Sequence, residues 1–113
     1  MYKLGELITI TVDRPLGTYH PEGKDIFYTI NYGYVQGVMA PDGEEQDAYI
    51  LGVNEPVEKF TGRFIAIIHR DDDIEEKWVV VKEGLSYSNE EIMKLVDFQE
   101  KYHKSYIKER YNY

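Results

Sequence analysis

The middle of the chain carries a cluster of carboxylates directly after an aromatic segment, Asn-Tyr-Gly-Tyr-Val, at residues 31–35. The acids of this cluster are Asp42, Glu44, Glu45 and Asp47. Carboxylates this close disfavour one another's ionisation. A solvated hairpin turn would relieve the repulsion, and so would a hard cation such as Mg²⁺ or Ca²⁺, which prefers oxygen ligands. The spacing is not that of an EF-hand loop, and by itself it leaves both interpretations open.

A second acidic cluster follows in residues 71–76, and Lys77 closes it. Charge runs of this kind usually form a solvated hairpin loop. Two acidic loops at the ends of neighbouring strands can instead share divalent ions, which attract phosphate oxygens and lower the pKa of a bound water. Lys77 begins the next predicted strand, and this is a rigid place from which to present a donor.

Three tyrosines at even spacing, Tyr28, Tyr32 and Tyr34, lie on one face of a predicted strand. Packing in the core is the usual role of such a row, although a hydroxyl can also donate to a bound phosphate. His20 and His69 have no partner at metal-ligand spacing, so we expect structural or exposed positions for them. The tyrosine row therefore leaves a core role and a binding role open.

The elements that must position these side chains are mostly strands. Alternating apolar residues predict strands near residues 6–13 and 26–34, and we also expect strands at residues 47–53, 63–69 and 78–81. Pro-Asp-Gly at residues 41–43 predicts a turn. About five strands at short spacing are typical of a small barrel or a sandwich.

The carboxyl-terminal part changes to a helical period. Ser88 and Glu91 form a capping box, and apolar residues recur at helical spacing from Ile92 to Tyr106. We expect one long helix that packs on the barrel, with residues 108–113 frayed. The predicted fold is thus mainly β, with a carboxyl-terminal helix.

Composition narrows the classes of function. The 113 residues predict a single domain, 1–113, with a net charge of −8, and this charge excludes a nucleic-acid-binding surface. No apolar run is long enough for a membrane span, and the amino terminus lacks the apolar core of a signal peptide. The absence of cysteine excludes thiolate metal sites and disulfides, and it predicts a cytoplasmic location.

Taken together, Tyr28-x-x-Asn-Tyr-Gly-Tyr-Val and Asp42-Gly-Glu-x-x-Asp47 resemble the signature of the family I soluble inorganic pyrophosphatases. That signature is Asn-Tyr-Gly followed by Asp-Gly-Asp-Pro-x-Asp. The acidic residues before Lys77 resemble the family's second acidic loop, and residues 98–103 resemble its helical phosphate-binding segment. The resemblance covers about residues 6–104 and is specific only in the central segment.

The resemblance implies a five-stranded, OB-like closed barrel and Mg²⁺-dependent hydrolysis of pyrophosphate to two phosphates. The metal ligands that it implies are Asp42, Asp47, Asp72, Asp73 and Glu75. The catalytic residues are Glu44, which would orient or deprotonate the attacking water, Asp47, Lys77 and Tyr32. The substrate contacts are Tyr28, Tyr102 and His103, and we add Arg14 as a hypothetical anion-binding residue. The partner is pyrophosphate or a related phosphate compound, and assembly into a homo-oligomer stays open.

The chain departs from the family pattern at several positions. Glu44 is one methylene longer than the family's aspartate, His103 replaces a lysine, and the amino-terminal strand pair with its acids is abbreviated. These departures support an alternative function, a non-catalytic module that binds metal and phosphate. A further alternative is an interaction domain whose acidic loops bind a basic partner.

Overall fold

The computed structural model describes residues 2–23 and 25–112. In chain order its elements are β1 Leu7–Arg14, β2 Asn31–Met39, β3 Glu45–Leu51, β4 Lys59–Arg70, β5 Glu76–Val81, α1 Asn89–Glu100 and β6 Ser105–Arg110. The strand order is β1-β2-β3-β5-β4-β6, and β1 also pairs with β4, which closes a five-stranded barrel. The β3–β5 pair is parallel, whereas the other pairs are antiparallel. The predicted OB-like barrel is therefore confirmed.

Side chains alternate between two apolar clusters on the two faces of the sheet. On β3, Ala48 and Ile50 belong to one cluster, while Tyr49 and Leu51 belong to the other, which includes Ile92 and Val96 of α1. A five-stranded barrel is too narrow to hold a helix, so the cluster that contains α1 lies outside the barrel. The helix thus packs on the outer face, and its end lies beside the tyrosines of that face.

The β1–β2 contact is close because Gly33 has no side chain. A Cβ built at Gly33 would lie 1.9 Å from the carbonyl oxygen of Thr11 on β1. No larger residue can occupy this position without moving β1 and β2 apart. Gly33 therefore fixes the position of its neighbour Tyr32.

The turn and the helix start follow the sequence pattern, whereas two other segments differ from it. The turn at residues 41–43 is present with Gly43 at φ 86°, and the Ser88–Glu91 capping box begins α1. Residues 26–30 alternate in polarity, but they form only the isolated Tyr19–Phe27 bridge, and β2 begins at Asn31. The backbone hydrogen bonds of Tyr28 join it to the preceding loop, and for this reason the strand begins later than predicted.

The predicted long helix is wrong in its second half. The helix α1 ends at Glu100, and the residues after it form β6, which pairs with residues 66–70 of β4. Because β1 pairs only with residues 59–63, the other half of β4 would otherwise expose an unpaired edge. This sheet pairing overrides the helical period, and it also orders Lys108–Arg110, which we expected to fray. Among the described residues, no helix has the length and apolar character needed to cross a membrane.

Candidate active site

A cleft of about 310 Å³ lies at the end of the barrel where β1, β3 and β5 meet the end of α1. Its charged lining residues are Asp13, Arg14, Asp47, Arg70, Glu75 and Lys77. Three cationic and three anionic side chains therefore face one small volume. Such a set can bind an anion, and it can bind a cation through its carboxylates.

The ammonium group of Lys77 bridges two of these acids. Lys77 Nζ lies 2.6 Å from Asp47 Oδ2 and 2.9 Å from Glu75 Oε2, and only 4% of its side chain is exposed. Burial alone would lower the pKa of Lys77, but the Coulombic interactions with Tyr32 and Asp47 and the hydrogen bond to Asp47 raise it above the ordinary value. Lys77 therefore carries a permanent positive charge at the floor of the cleft.

Arg14, at the end of β1, supplies a second cation on the opposite side. Arg14 Nη1 donates to the Tyr28 hydroxyl over 2.9 Å, and the guanidinium lies 5.9 Å and 5.8 Å from the ring centres of Tyr28 and Tyr32. Within the described parts of the chain, this guanidinium forms no ion pair. Its remaining donors are therefore available to an anion.

Tyr32 lies between these two cations on β2. The Lys77 ammonium lies 5.7 Å from the centre of the Tyr32 ring, and the side chain is buried. Burial raises the pKa of Tyr32 well above its ordinary value, although Lys77 opposes this effect. The phenol thus stays protonated near neutral pH and can act as a hydrogen-bond donor.

Arg70, the third cation of the cleft, is held by a buried ion pair with Glu100. Arg70 Nε and Nη2 donate to the two carboxylate oxygens of Glu100 over 3.0 Å and 2.7 Å, and Arg70 Nη1 donates to Glu75 over 2.6 Å. Burial would raise the pKa of Glu100, but the hydrogen bonds from Arg70, Ser105 and Tyr49 outweigh it and lower the pKa. Glu100 is therefore a carboxylate at neutral pH, and it fixes Arg70 beside Glu75.

The structure brings most of the residues predicted for the site to this cleft. Those that line it are Arg14, Tyr32, Asp47, Glu75, Lys77, Tyr102 and His103. Tyr28 lies behind Arg14, with its hydroxyl bonded to that guanidinium. The predicted residues thus come from both acidic segments and from the segment after α1.

The structure does not bring four other predicted residues to the cleft. Asp42 and Glu44 are exposed in the β2–β3 turn, where Asp42 Oδ1 accepts a hydrogen bond from the Glu44 backbone N–H over 3.0 Å. Asp72 and Asp73 are exposed in the β4–β5 loop, and Asp72 lies 3.2 Å from His103 Nδ1. The roles predicted for these four acids remain predictions.

Asp13, His20 and Arg70 also line the cleft, although none of them was predicted as a site residue and His20 was expected in a structural or exposed position. Asp13 stands beside Arg14 in the sequence, and this adjacency was a usable signal. His20 faces the cleft from a loop, with its Nδ1 accepting backbone N–H groups of Glu22 and Gly23 over 3.0 Å each. Because only the fold of that loop orients His20, spacing alone did not reveal its position.

The fit of Mg²⁺ to this cleft depends on its carboxylates. Among residues 2–23 and 25–112, no group of three or more acidic or histidine side chains is arranged to bind a metal. Asp47 and Glu75, however, both contact the Lys77 ammonium and so lie on either side of one point. Mg²⁺ is commonly bound by one or two carboxylates together with substrate phosphates. Asp47 and Glu75 thus offer two carboxylates to a magnesium ion that enters with a phosphate compound, and such an ion would have to share them with the Lys77 ammonium.

No protein-family model matches the chain, and comparison with curated protein sequences gives no match. Solved structures do resemble it. An inorganic pyrophosphatase from Neisseria gonorrhoeae has a TM-score of 0.67 at 14% identity, covering 93% of this chain and 82% of that one. One from Coxiella burnetii has a TM-score of 0.64 at 18% identity, covering 97% and 88%. One from Thermus thermophilus has a TM-score of 0.59 at 13% identity, covering 96% and 86%. These likenesses show that the chain has the fold of bacterial inorganic pyrophosphatases.

Proposed function

We propose that this chain binds inorganic pyrophosphate in the cleft and hydrolyses it to two phosphates with Mg²⁺ as cofactor, in the cytoplasm. The observation that carries the proposal is the convergence of Tyr32, Asp47 and Lys77 with Arg14 in one cleft. The pyrophosphatase-like fold adds to it. Pyrophosphate is small and highly charged, and the cleft offers cations on two sides.

The cations bind the substrate in this proposal. Beyond its bond to the Tyr28 hydroxyl, the Arg14 guanidinium has no other hydrogen-bond partner among the described residues, so its remaining donors can form two parallel bonds to phosphate oxygens. Lys77 neutralises charge from the floor, and the protonated Tyr32 hydroxyl donates to an oxygen between the two cations. Tyr102 and His103 contact the phosphate nearest the mouth of the cleft.

Hydrolysis forms a bond between a water oxygen and one phosphorus atom and breaks that phosphorus atom's bond to the bridging oxygen. The magnesium ion held by Asp47 and Glu75 would screen the phosphate charge and make water more acidic. A carboxylate must accept the water proton. Asp13 lines the cleft beside Arg14, and an Asp13 Oδ atom would accept this proton; partial desolvation raises the pKa of Asp13, although Arg14 opposes this effect. Lys77 and Arg14 would stabilise the charge on the leaving phosphate.

A second candidate function is binding of a phosphate compound without turnover. The position of Asp42 and Glu44, exposed in the β2–β3 turn, favours this alternative. The hydrolytic mechanism that the family resemblance implies requires both acids near the substrate, whereas binding by Arg14 and Lys77 does not. The two functions therefore differ in chemistry but share one cleft.

A phosphate-release assay with pyrophosphate and Mg²⁺ tests the proposal. We expect turnover that EDTA abolishes and that Asp47→Asn reduces by about 100-fold or more, since this variant loses the metal-binding carboxylate. Isothermal titration with imidodiphosphate, which resists hydrolysis, measures binding separately. Binding without turnover supports the second candidate, and turnover that survives both EDTA and Asp47→Asn contradicts the first.

A further inference from the structure

The two cationic sides of the cleft are connected by a chain of hydrogen bonds, which is buried between Tyr28 and Arg70. Arg14 Nη1 donates to Tyr28, and the Tyr28 hydroxyl donates to Gln99 Oε1 over 2.5 Å. Gln99 Nε2 then donates to the Tyr49 hydroxyl over 2.7 Å, and Tyr49 donates to Glu100 Oε2 over 2.5 Å. Each donor along this path points toward Glu100, so the chain has one direction.

Glu100 is the end of this chain and the start of a second one. Its carboxylate accepts from Tyr49, from Arg70 at two nitrogens and from Ser105 Oγ over 2.6 Å. Arg70 continues to Glu75, which also contacts the Lys77 ammonium. Glu100 is 3% exposed and Arg70 5% exposed, so the bonds of Glu100 with Arg70 and Tyr49 form away from water, where each is electrostatically stronger.

The position of Glu100 on α1 is costly for a helix. The last helical turn contains no basic residue, and a carboxylate there interacts unfavourably with the negative end of the helix dipole. A buried ion pair is also a weak source of stability compared with apolar packing. If this residue served only to end the helix, lysine would interact more favourably with the helix dipole and leucine would pack better in the core. The arrangement is better explained by what Glu100 orients.

We infer that Gln99 and Glu100, two consecutive residues at the end of α1, are positioning residues for the cleft. Gln99 orients Arg14 through Tyr28, and Glu100 orients Glu75 and Lys77 through Arg70. Gln99 also lines the cleft, whereas Glu100 does not, so the positioning role of Gln99 is measured in the ligand-free protein. The inference builds on the proposed function, because it explains how a phosphate compound would meet cations already oriented on both sides.

Nuclear magnetic resonance of the ligand-free protein tests the positioning directly. We expect Gln99→Met to shift the Arg14 guanidinium signals while leaving the Lys77 ammonium signal in place. Glu100→Gln should do the reverse, because an amide cannot accept from Arg70 and Tyr49 at both of its positions. If Glu100→Gln does not fold, Ser105→Ala removes one donor to the Glu100 carboxylate, and the Lys77 ammonium signal should then shift.

Binding supplies the second readout. Titration with imidodiphosphate should show affinity reduced about 3- to 10-fold in Gln99→Met, because this variant loses the hydrogen bond through which Gln99 orients Tyr28 and Arg14. Ile92→Val is the matched control, since it lies on the same buried face of α1 but outside the hydrogen-bond chain. It should lower the melting temperature without changing the affinity or the two side-chain signals.

The outcomes separate this inference from the proposed function. A folded Gln99→Met protein with unchanged Arg14 signals overturns the positioning role, whatever the affinity. Wild-type protein that binds no imidodiphosphate overturns the proposed function, and the shifts in the ligand-free protein still decide the positioning role. Equal losses of affinity in Gln99→Met and Ile92→Val would also overturn it, because general destabilisation would then explain both.

Discussion

Lys77 on β5 and Asp47 on β3 form an ion pair of 2.6 Å across the parallel strand pair of the barrel. The register places the following residues, Trp78 and Ala48, directly opposite each other. Because both side chains leave rigid strands at the same level, their separation is fixed by the sheet. A phosphate compound that enters the cleft must therefore compete with Asp47 for the ammonium group.

Replacing the lysine should have opposite effects on anions and cations. In Lys77→Met, phosphate loses a charge-assisted partner, so imidodiphosphate affinity should fall about 10- to 100-fold. Asp47 and Glu75 lose the cation between them, and Mg²⁺ or Mn²⁺ alone should bind more tightly than in wild type. Calorimetric titration with each ligand separately measures both changes.

Lys108→Met is the control for the lysine variant. Lys108 pairs with Glu76 over 2.8 Å on the surface, outside the cleft, so its loss should change neither affinity. A Lys77→Met protein that is folded and binds imidodiphosphate as wild type does would remove Lys77 from the binding site.

The two aspartates of the central motif should differ in importance. Asp47 lines the cleft, whereas Asp42 is exposed in the turn. If the cleft works as described, Asp47→Asn should lose about 100-fold or more of pyrophosphate hydrolysis, while Asp42→Asn should stay within about threefold of wild type. Steady-state phosphate release at saturating Mg²⁺ compares them. Equal losses would show that Asp42 takes part in hydrolysis, as the sequence resemblance implies.

Stability should fall in acid because of Glu100. Hydrogen bonds from Arg70, Ser105 and Tyr49 hold its folded-state pKa below the ordinary value of 4.5, despite burial. A lowered carboxyl pKa contributes stability that is present above pH 4.5 and is lost as pH falls through the folded-state pKa. Urea unfolding at pH 7 and at several values below pH 4.5 should show this loss.

The variant Glu100→Gln separates the contribution of Glu100 to the pH dependence of stability from the contributions of other acids. The variant should be less stable by about 3 kcal/mol at pH 7, because Arg70 loses its buried partner. Its stability should then change less between pH 7 and pH 3 than that of wild type. If the stability of the variant changes with pH as steeply as that of wild type, the acid sensitivity belongs to other carboxylates, such as Asp72. Despite some desolvation, backbone hydrogen bonds and His103 lower the pKa of Asp72.

Most strands of the barrel could be predicted from the sequence because their signals are local, whereas the choice of a barrel over a sandwich came from the family resemblance. The alternation on β1, the apolar runs of β3, β4 and β5 and the Pro-Asp-Gly turn depend on neighbouring residues only. The strand β6 could not be predicted from the sequence, because Tyr102 and Tyr106 continue the helical period of α1. Only the unpaired half of β4, known from the β1–β4 register, explains why Ser105 begins a strand.

The candidate site divides in the same way. Tyr32, Asp47 and Lys77 could be predicted because motif spacing and strand ends place them. Arg70 and Glu100 could not, because they are 30 residues apart in sequence and meet only when α1 packs on the barrel. A buried ion pair of this kind has no local signal, and charge runs such as residues 71–76 conceal it.

Gly33 offers a test of whether the strand pair orients the site. In Gly33→Ala the new methyl group would meet the Thr11 carbonyl oxygen on β1, so β1 and β2 must separate. We expect a loss of stability above about 3 kcal/mol, with Tyr32 displaced from its place between Arg14 and Lys77. Urea unfolding measures the stability, and imidodiphosphate titration measures the site. Gly23→Ala is the control, because its nearest contact, Ile26 Cδ1, lies 3.6 Å away. A stable Gly33→Ala protein with unchanged affinity would show that the β1–β2 contact does not orient Tyr32.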